Sequence, residues 1–205
     1  MHISEGVLSA PVLATGAVLA AAGISVGLKK MDPEKIPQVA VLSSAFFVAS
    51  LIHVPIGPSS VHLILNGING LLLGWLCFPS ILVALALHAI LFQFGGITVL
   101  GINTVNMALP GVICYYLFGR LVNRERRLIS LVAAFSCGFL AVFFSCVLVA
   151  LSLVFTEQSF VSVAKLIVVA HLPVMVIEAI ITLFCVAFLK RVKPELLGGI
   201  HGKGS

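Results

Sequence analysis

The sequence predicts an all-α polytopic membrane bundle of about seven transmembrane helices, with the N-terminus outside and the C-terminus cytoplasmic. Three observations lead there. Of the 205 residues, 60% are hydrophobic and 9% charged, whereas soluble domains carry about a quarter charged residues; the mean hydropathy is +1.22. The apolar residues gather in runs near the roughly 20 residues that a helix needs to cross a bilayer. The lysines and arginines fall between alternate runs, as an excess of positive charge on the cytoplasmic side requires. The formal net charge of +5 therefore orients the chain in a lipid bilayer and is not evidence for nucleic acid.

The first span is read over residues 8–28, followed by the charged loop Lys29-Lys30-Met31-Asp32-Pro33-Glu34-Lys35. The second covers 38–54 and ends in the turn-rich Pro55-Ile56-Gly57-Pro58-Ser59-Ser60. The third, 61–76, is interrupted by Gly67, Gly70 and Gly74, and Cys77-Phe78-Pro79 makes a tight turn into the fourth, 80–94. Residues 95–106, rich in glycine and asparagine, read as a loop folded over or into the outer mouth. The fifth span is 107–122. A basic loop over 123–127 leads to the sixth at 128–155, and the seventh runs over 161–189 into Lys190-Arg191-Val192-Lys193-Pro194. One membrane-embedded domain is expected over 1–194, with a flexible tail at 195–205.

Charge placement orients these spans. With the N-terminus outside, the cytoplasmic loops carry Lys29, Lys30, Lys35, Arg120, Arg124, Arg126, Arg127, Lys190, Arg191 and Lys193, while the outer segments hold Glu5 and Glu157. No basic leader precedes the first apolar run, so that span is expected to remain in the mature protein. Small residues on it (Gly16, Ala20, Gly23, Gly27) allow close helix packing, inside the protein or against a partner. The five cysteines lack paired spacing and read as buried small hydrophobes.

The chain opens Met1-His2-Ile3-Ser4-Glu5-Gly6. Histidine is too bulky for the preceding methionine to be trimmed, so a free amine is expected on Met1. That amine and the deprotonated amide of His2 close a five-membered chelate ring on a metal, and the amide with Nδ1 of His2 closes a six-membered one. Three nitrogens then share a plane, and a fourth completes the square-planar geometry that favours Ni(II) or Cu(II). The dipeptide by itself equally fits a frayed terminus with an exposed His2.

Ionisable residues at membrane depth are costly and hence functional candidates. His62, in Gly57-Pro58-Ser59-Ser60-Val61-His62-Leu63, stands on the same side as His2; it reads as a functional group or as an interfacial histidine reaching the headgroups. His53 reads as interfacial, and His88 as an interhelical hydrogen-bonding residue facing the bundle interior or as a ligand. His171 and Glu178, seven residues apart, lie on nearly one helix face, as a structural pair or a proton relay. Lys165 snorkels, and His201 sits in the glycine-rich tail. Asn103 and Asn106 offer amides that could orient a ligand's surroundings or simply line a surface loop. No Walker A, H-E-x-x-H or G-x-S-x-G motif is present, which argues against an ATPase or a hydrolase. No internal repeat relates the two halves, which weakens a secondary-transporter reading.

Met1-His2-Ile3-Ser4-Glu5-Gly6 with Leu8-Ser9, Pro58-Ser59-Ser60-Val61-His62-Leu63, Phe92-Gln93-Phe94-Gly95-Gly96-Ile97 through Gly101-Ile102-Asn103 to Met107, and His171-Leu172-Pro173 with Glu178 resemble the CbiM/NikM family. These are the substrate-capture components of energy-coupling-factor importers for cobalt and nickel. The resemblance covers about the first 190 residues. It implies an N-terminus tucked into the bundle and an ion held by the Met1 amine, the amide and imidazole of His2, and His62. Asn103 follows as a residue supporting those ligands. Two departures are Leu65-Asn66-Gly67, where many members have a glycine pair, and His88, at a position often held by glutamine; neither is expected to touch the proposed ligands, though His88 could alter their surroundings or the ion preference.

The resemblance further implies a transmembrane coupling (T) protein, two cytoplasmic ATPase subunits and a small auxiliary membrane subunit as partners. The chain would have no catalytic cofactor, and its bound Ni(II) or Co(II) would be cargo. Two other readings stay open: a self-sufficient proton-coupled permease using His88, His171 and Glu178, and an intramembrane metalloenzyme, which needs an open coordination position.

Overall fold

Five helical stretches in the computed structural model are long and apolar enough to cross a membrane: Ala10–Lys29, Asn66–Phe92, Leu100–Val122, Arg127–Thr156 and Gln158–Val192. The structure describes residues 1–198; His201 lies outside them. Helix α1 is Ala10–Lys29 and α2 is Ile36–Leu51. A hairpin of β1 (His53–Ile56) and β2 (Ser59–His62) follows, then α3 (Asn66–Leu73) and α4 (Cys77–Phe92). The chain continues with α5 (Leu100–Val122), α6 (Arg127–Thr156), α7 (Val161–Ala170), α8 (Leu172–Val192) and α9 (Glu195–Gly198). The fold is an all-α polytopic membrane bundle, with exposed apolar side chains such as Val18, Ile90, Phe155 and Phe184 around its outside.

The expected third span is not one helix. Its first residues form β2, paired antiparallel with β1 in the register His53↔His62 and Ile56↔Ser59. Gly57, at φ +53°, supplies the left-handed turn residue between the strands. Helix begins only at Asn66, whose side-chain amide donates to the carbonyls of Met107 (3.1 Å) and Ala141 (3.3 Å) and to Ser145 Oγ (2.8 Å). At Gly74 (φ 54°, ψ −123°) the helix breaks and a 3-10 turn, Gly74–Leu76, leads into α4. The chain doubles back there. Trp75 lies beside Gly27 and Lys30 at the far end of α1, whereas His88, late in α4, has returned to the ring of His2.

Two further boundaries differ from the sequence reading. Residues 95–106 are not all loop: α5 starts at Leu100, so Asn103 and Asn106 are helical and buried. Gly95 and Gly96 do adopt positive φ, but Gly101 serves packing, since a Cβ there would lie 2.8 Å from Ala17 Cα of α1. The seventh span is two helices, broken at His171, because Pro173 has no N–H to continue the ladder.

Small residues draw the helices together. The buried face of α1 consists of Gly16, Ala20, Gly23 and Gly27, packed on Ile102, Phe78 and Pro79; the close packing foreseen for this stripe is internal. Helix α3 sits against α5 and α6, with Gly70 touching the Gly111 carbonyl and Gly67 facing Gly138. Past residue 194, Leu197 of α9 is buried and its carbonyl accepts a hydrogen bond from Asn123 Nδ2 (2.8 Å).

Candidate metal centre

The first residues leave the lipid-facing surface and enter the bundle. Met1 and Ile3 are fully buried and His2 is 5% exposed. Three consecutive backbone N–H groups hold this segment: Ile3 donates to Asn103 Oδ1 (3.0 Å), Ser4 to the Pro58 carbonyl (3.0 Å) and Glu5 to the Gly95 carbonyl (2.9 Å). Asn103 Nδ2 also donates to the Ile3 carbonyl (3.1 Å), so one side chain pairs with both polar groups of Ile3. The Glu5 carboxylate accepts from the Thr98 N–H (2.9 Å), which holds its acid below the ordinary range. None of these bonds uses the nitrogens of residues 1 and 2.

His62 meets the segment from β2. Its ring centre is 4.6 Å from that of His2, with the planes tilted by 33°. His62 Nδ1 lies 2.7 Å from the Leu63 carbonyl, an acceptor only, so Nδ1 carries the proton and Nε2 a bare lone pair. Nε2 of His62 and Nε2 of His2 are both buried without a hydrogen-bond partner. Burial pushes the Met1 amine well below its ordinary value. The His2 imidazole is lowered too, by burial first and then by the amine, His88 and His53. Both groups thus favour the neutral, ligand-ready form.

Among the described residues, no three His, Cys, Asp or Glu side chains are grouped to hold a metal ion. Two imidazoles alone leave a transition metal short of donors.

The other polar residues have other partners. His53 is half-buried in β1, edge-on to Phe94 at 4.1 Å between ring centres. His88 makes the foreseen interhelical bond, Nε2 to the Phe47 carbonyl (3.0 Å). Asn106 Nδ2 donates to Ser152 Oγ (3.3 Å), tying α5 to α6. His171 Nδ1 is bonded to the Ile167 carbonyl (2.8 Å). Glu178 Oε1 accepts the N–H groups of Ile64 (2.5 Å) and Leu65 (2.8 Å). The carboxylate so holds the chain between His62 and α3, where Leu65 takes a left-handed φ of 52°, a conformation that costs a branched residue energy. That role, and the strap made by Glu5, had no signal in spacing, since the partners are 114 and 93 residues away.

Comparison with known proteins places the chain. Residues 2–196 match the family CbiM, described as "Cobalt uptake substrate-specific transmembrane region". The chain belongs to the CbiM family. A metal transport protein of Haemophilus influenzae is 43% identical over 96% of this chain and 97% of its own length. The cobalt transport protein CbiM of Clostridium tetani is 29% identical, covering 98% of this chain and 90% of that one. The fused nickel transport protein NikMN of Rhodobacter capsulatus is 33% identical over 96% of this chain, which spans 64% of that relative. A crystal structure of a transition metal transporter superposes with a TM-score of 0.80 at 28% identity, covering 94% of this chain and 93% of the other. As a CbiM family member the chain is a multi-pass cell-membrane component of a metal-uptake family.

Proposed function

We propose that this CbiM protein captures one Ni(II) or Co(II) ion through the Met1 amine, the amide and Nδ1 of His2, and Nε2 of His62. The observation that carries the reading is a buried Met1-His2 terminus beside His62, whose Nε2 is buried and unpartnered. The four nitrogens suit a square plane, and Asn103 holds the terminus to it through Ile3. The lysine and arginine placement supports an outward-facing terminus. The chain then acts as the capture subunit of an energy-coupling-factor importer. A transmembrane coupling protein, two cytoplasmic ATPases and a small auxiliary membrane subunit complete it, and toppling of the whole subunit releases the ion inward. The fused relatives fit a chain that works with further transport subunits. One side-chain atom each of His88, His171 and Glu178 is engaged with backbone groups, which does not favour a proton path through them.

The test is metal binding by the purified protein with its native terminus, compared with His2→Ala and His62→Ala, for Ni(II) and Co(II). One ion per chain, a square-planar Ni(II) absorption spectrum and loss of binding in both variants are expected. Binding that survives His2→Ala overturns the site.

A further inference from the structure

His2 and His88 present complementary hydrogen-bonding atoms to each other. His88 Nε2 faces the Phe47 carbonyl at 3.0 Å, and a carbonyl only accepts, so Nε2 carries the proton and Nδ1 a lone pair. That Nδ1 is buried without a partner. On the other side, chelation through Nδ1 of His2 leaves Nε2 of His2 protonated, and this buried atom also lacks a partner. One is an unused acceptor, the other an unused donor.

The rings are close enough to join. Their centres are 5.2 Å apart and their planes stand at 81°. A ring N–H···N bond of about 3 Å, with about 1.2 Å from each ring centre to its nitrogen, sets centres about 5.4 Å apart. The observed separation of the centres is close to that value. His88 is itself steadied by Phe47, whose ring stacks on it at 4.7 Å and 19°.

We propose that His88 is a positioning residue for the captured ion: it accepts the Nε2 proton of His2 when the ion is bound. The inference rests on the capture site proposed above. A hydrogen bond to the far nitrogen of a metal-bound histidine fixes its tautomer and ring orientation and makes it a stronger donor. The unused atoms of His88 and His2 thereby become the ion's outer support.

The experiment uses the full chain with its native terminus and Ni(II) alone as probe, in wild type, His88→Leu, His88→Gln and His2→Ala. Affinity is read by competition with a chelator, and ring N–H protons by NMR on histidine-labelled protein, since square-planar Ni(II) is diamagnetic. His88→Leu is expected to bind about 10- to 100-fold more weakly, while His88→Gln, which keeps an acceptor, stays close to wild type. Nickel should bring out a downfield, exchange-protected Nε2–H of His2 in wild type that is missing in His88→Leu. Support of the Phe47 carbonyl alone would not produce that metal-dependent proton. Wild-type affinity in His88→Leu, or no such proton in loaded wild type, overturns the proposal; if His88→Leu fails to fold, the wild-type spectrum decides. Wild-type binding in His2→Ala instead overturns the capture site on which it rests.

Discussion

Asn103 pairs with Ile3 as one strand pairs with another, accepting from its N–H at 3.0 Å and donating to its carbonyl at 3.1 Å. The register of the terminus is therefore set one residue after the proposed ligands. Asn103→Leu removes both bonds and leaves two polar groups of Ile3 buried without partners. Nickel affinity should fall about 10- to 100-fold without vanishing, because every proposed ligand remains. Asn103→Asp, which keeps the acceptor and loses the donor, should fall between. Chelator competition gives the order; equal affinity in Asn103→Leu would show that the terminus is held well enough by Ser4 and Glu5.

Met1 is fully buried, which leaves no room for a residue before it. One glycine added ahead of Met1 replaces the primary amine by a peptide nitrogen and pushes new chain into a packed interior. Tight binding of Ni(II) should be lost, and cleavage of a removable N-terminal tag back to Met1 should restore it. Retained affinity in the extended protein sinks the amine as a ligand.

Acidity works on the same terminus. An amine titrates near 8 in an unfolded chain, and burial holds the Met1 amine well below that in the fold. As pH falls, the unfolded chain takes up the proton first, so the ion-free protein loses stability from about pH 8 downward. His2, also lowered, adds to the loss below its ordinary value of about 6.5. Thermal unfolding in detergent, followed from pH 8.5 to 5.5, should show a falling Tm. Acetylation of the amine should flatten the upper part of that curve, and an unchanged slope there would contradict the argument.

Glu178→Ala should destabilise the protein by roughly 2–5 kcal/mol, since it leaves the N–H groups of Ile64 and Leu65 without their acceptor. Glu178→Gln keeps an acceptor oxygen and should cost far less. Denaturant or thermal unfolding separates the two, and a Gln variant as unstable as the Ala variant would mean that the charge, not the acceptor, is what matters.

Gly70 and Gly111 bring two backbones into contact. Neither side has a flexible atom to yield, so Gly70→Ala should force α3 away from α5 and cut the yield of folded protein. Size-exclusion profiles in mild detergent would show it.

Much of this was written in local sequence. Hydropathy gave the apolar stretches, because the bilayer imposes one length on every crossing; about seven were expected, and five of the described helical stretches are long and apolar enough to cross. The chemistry proposed for Met1, His2 and His62 could be read from the sequence because it is local or carried by a short motif. The hairpin was missed because Val61-His62-Leu63-Ile64 is apolar enough to pass for a helix. The glycines after Phe94 stretched the expected loop too far, since Gly101 looks the same whether it bends a chain or admits a neighbour. The partners of Asn103 and Glu178 lie 100 and 114 residues away, and no periodicity encodes such a distance.

That separation bears on how the protein is made. The segment at Met1 to Glu5 docks against a side chain translated about 100 residues later. Closing a 100-residue span carries an entropy cost of about 4 kcal/mol, so the terminus waits, unplaced, while α1 to α5 insert. This segment is thus placed only after α5 has been made, and at the proposed site a cation arriving then would act as the fastener that keeps it in place.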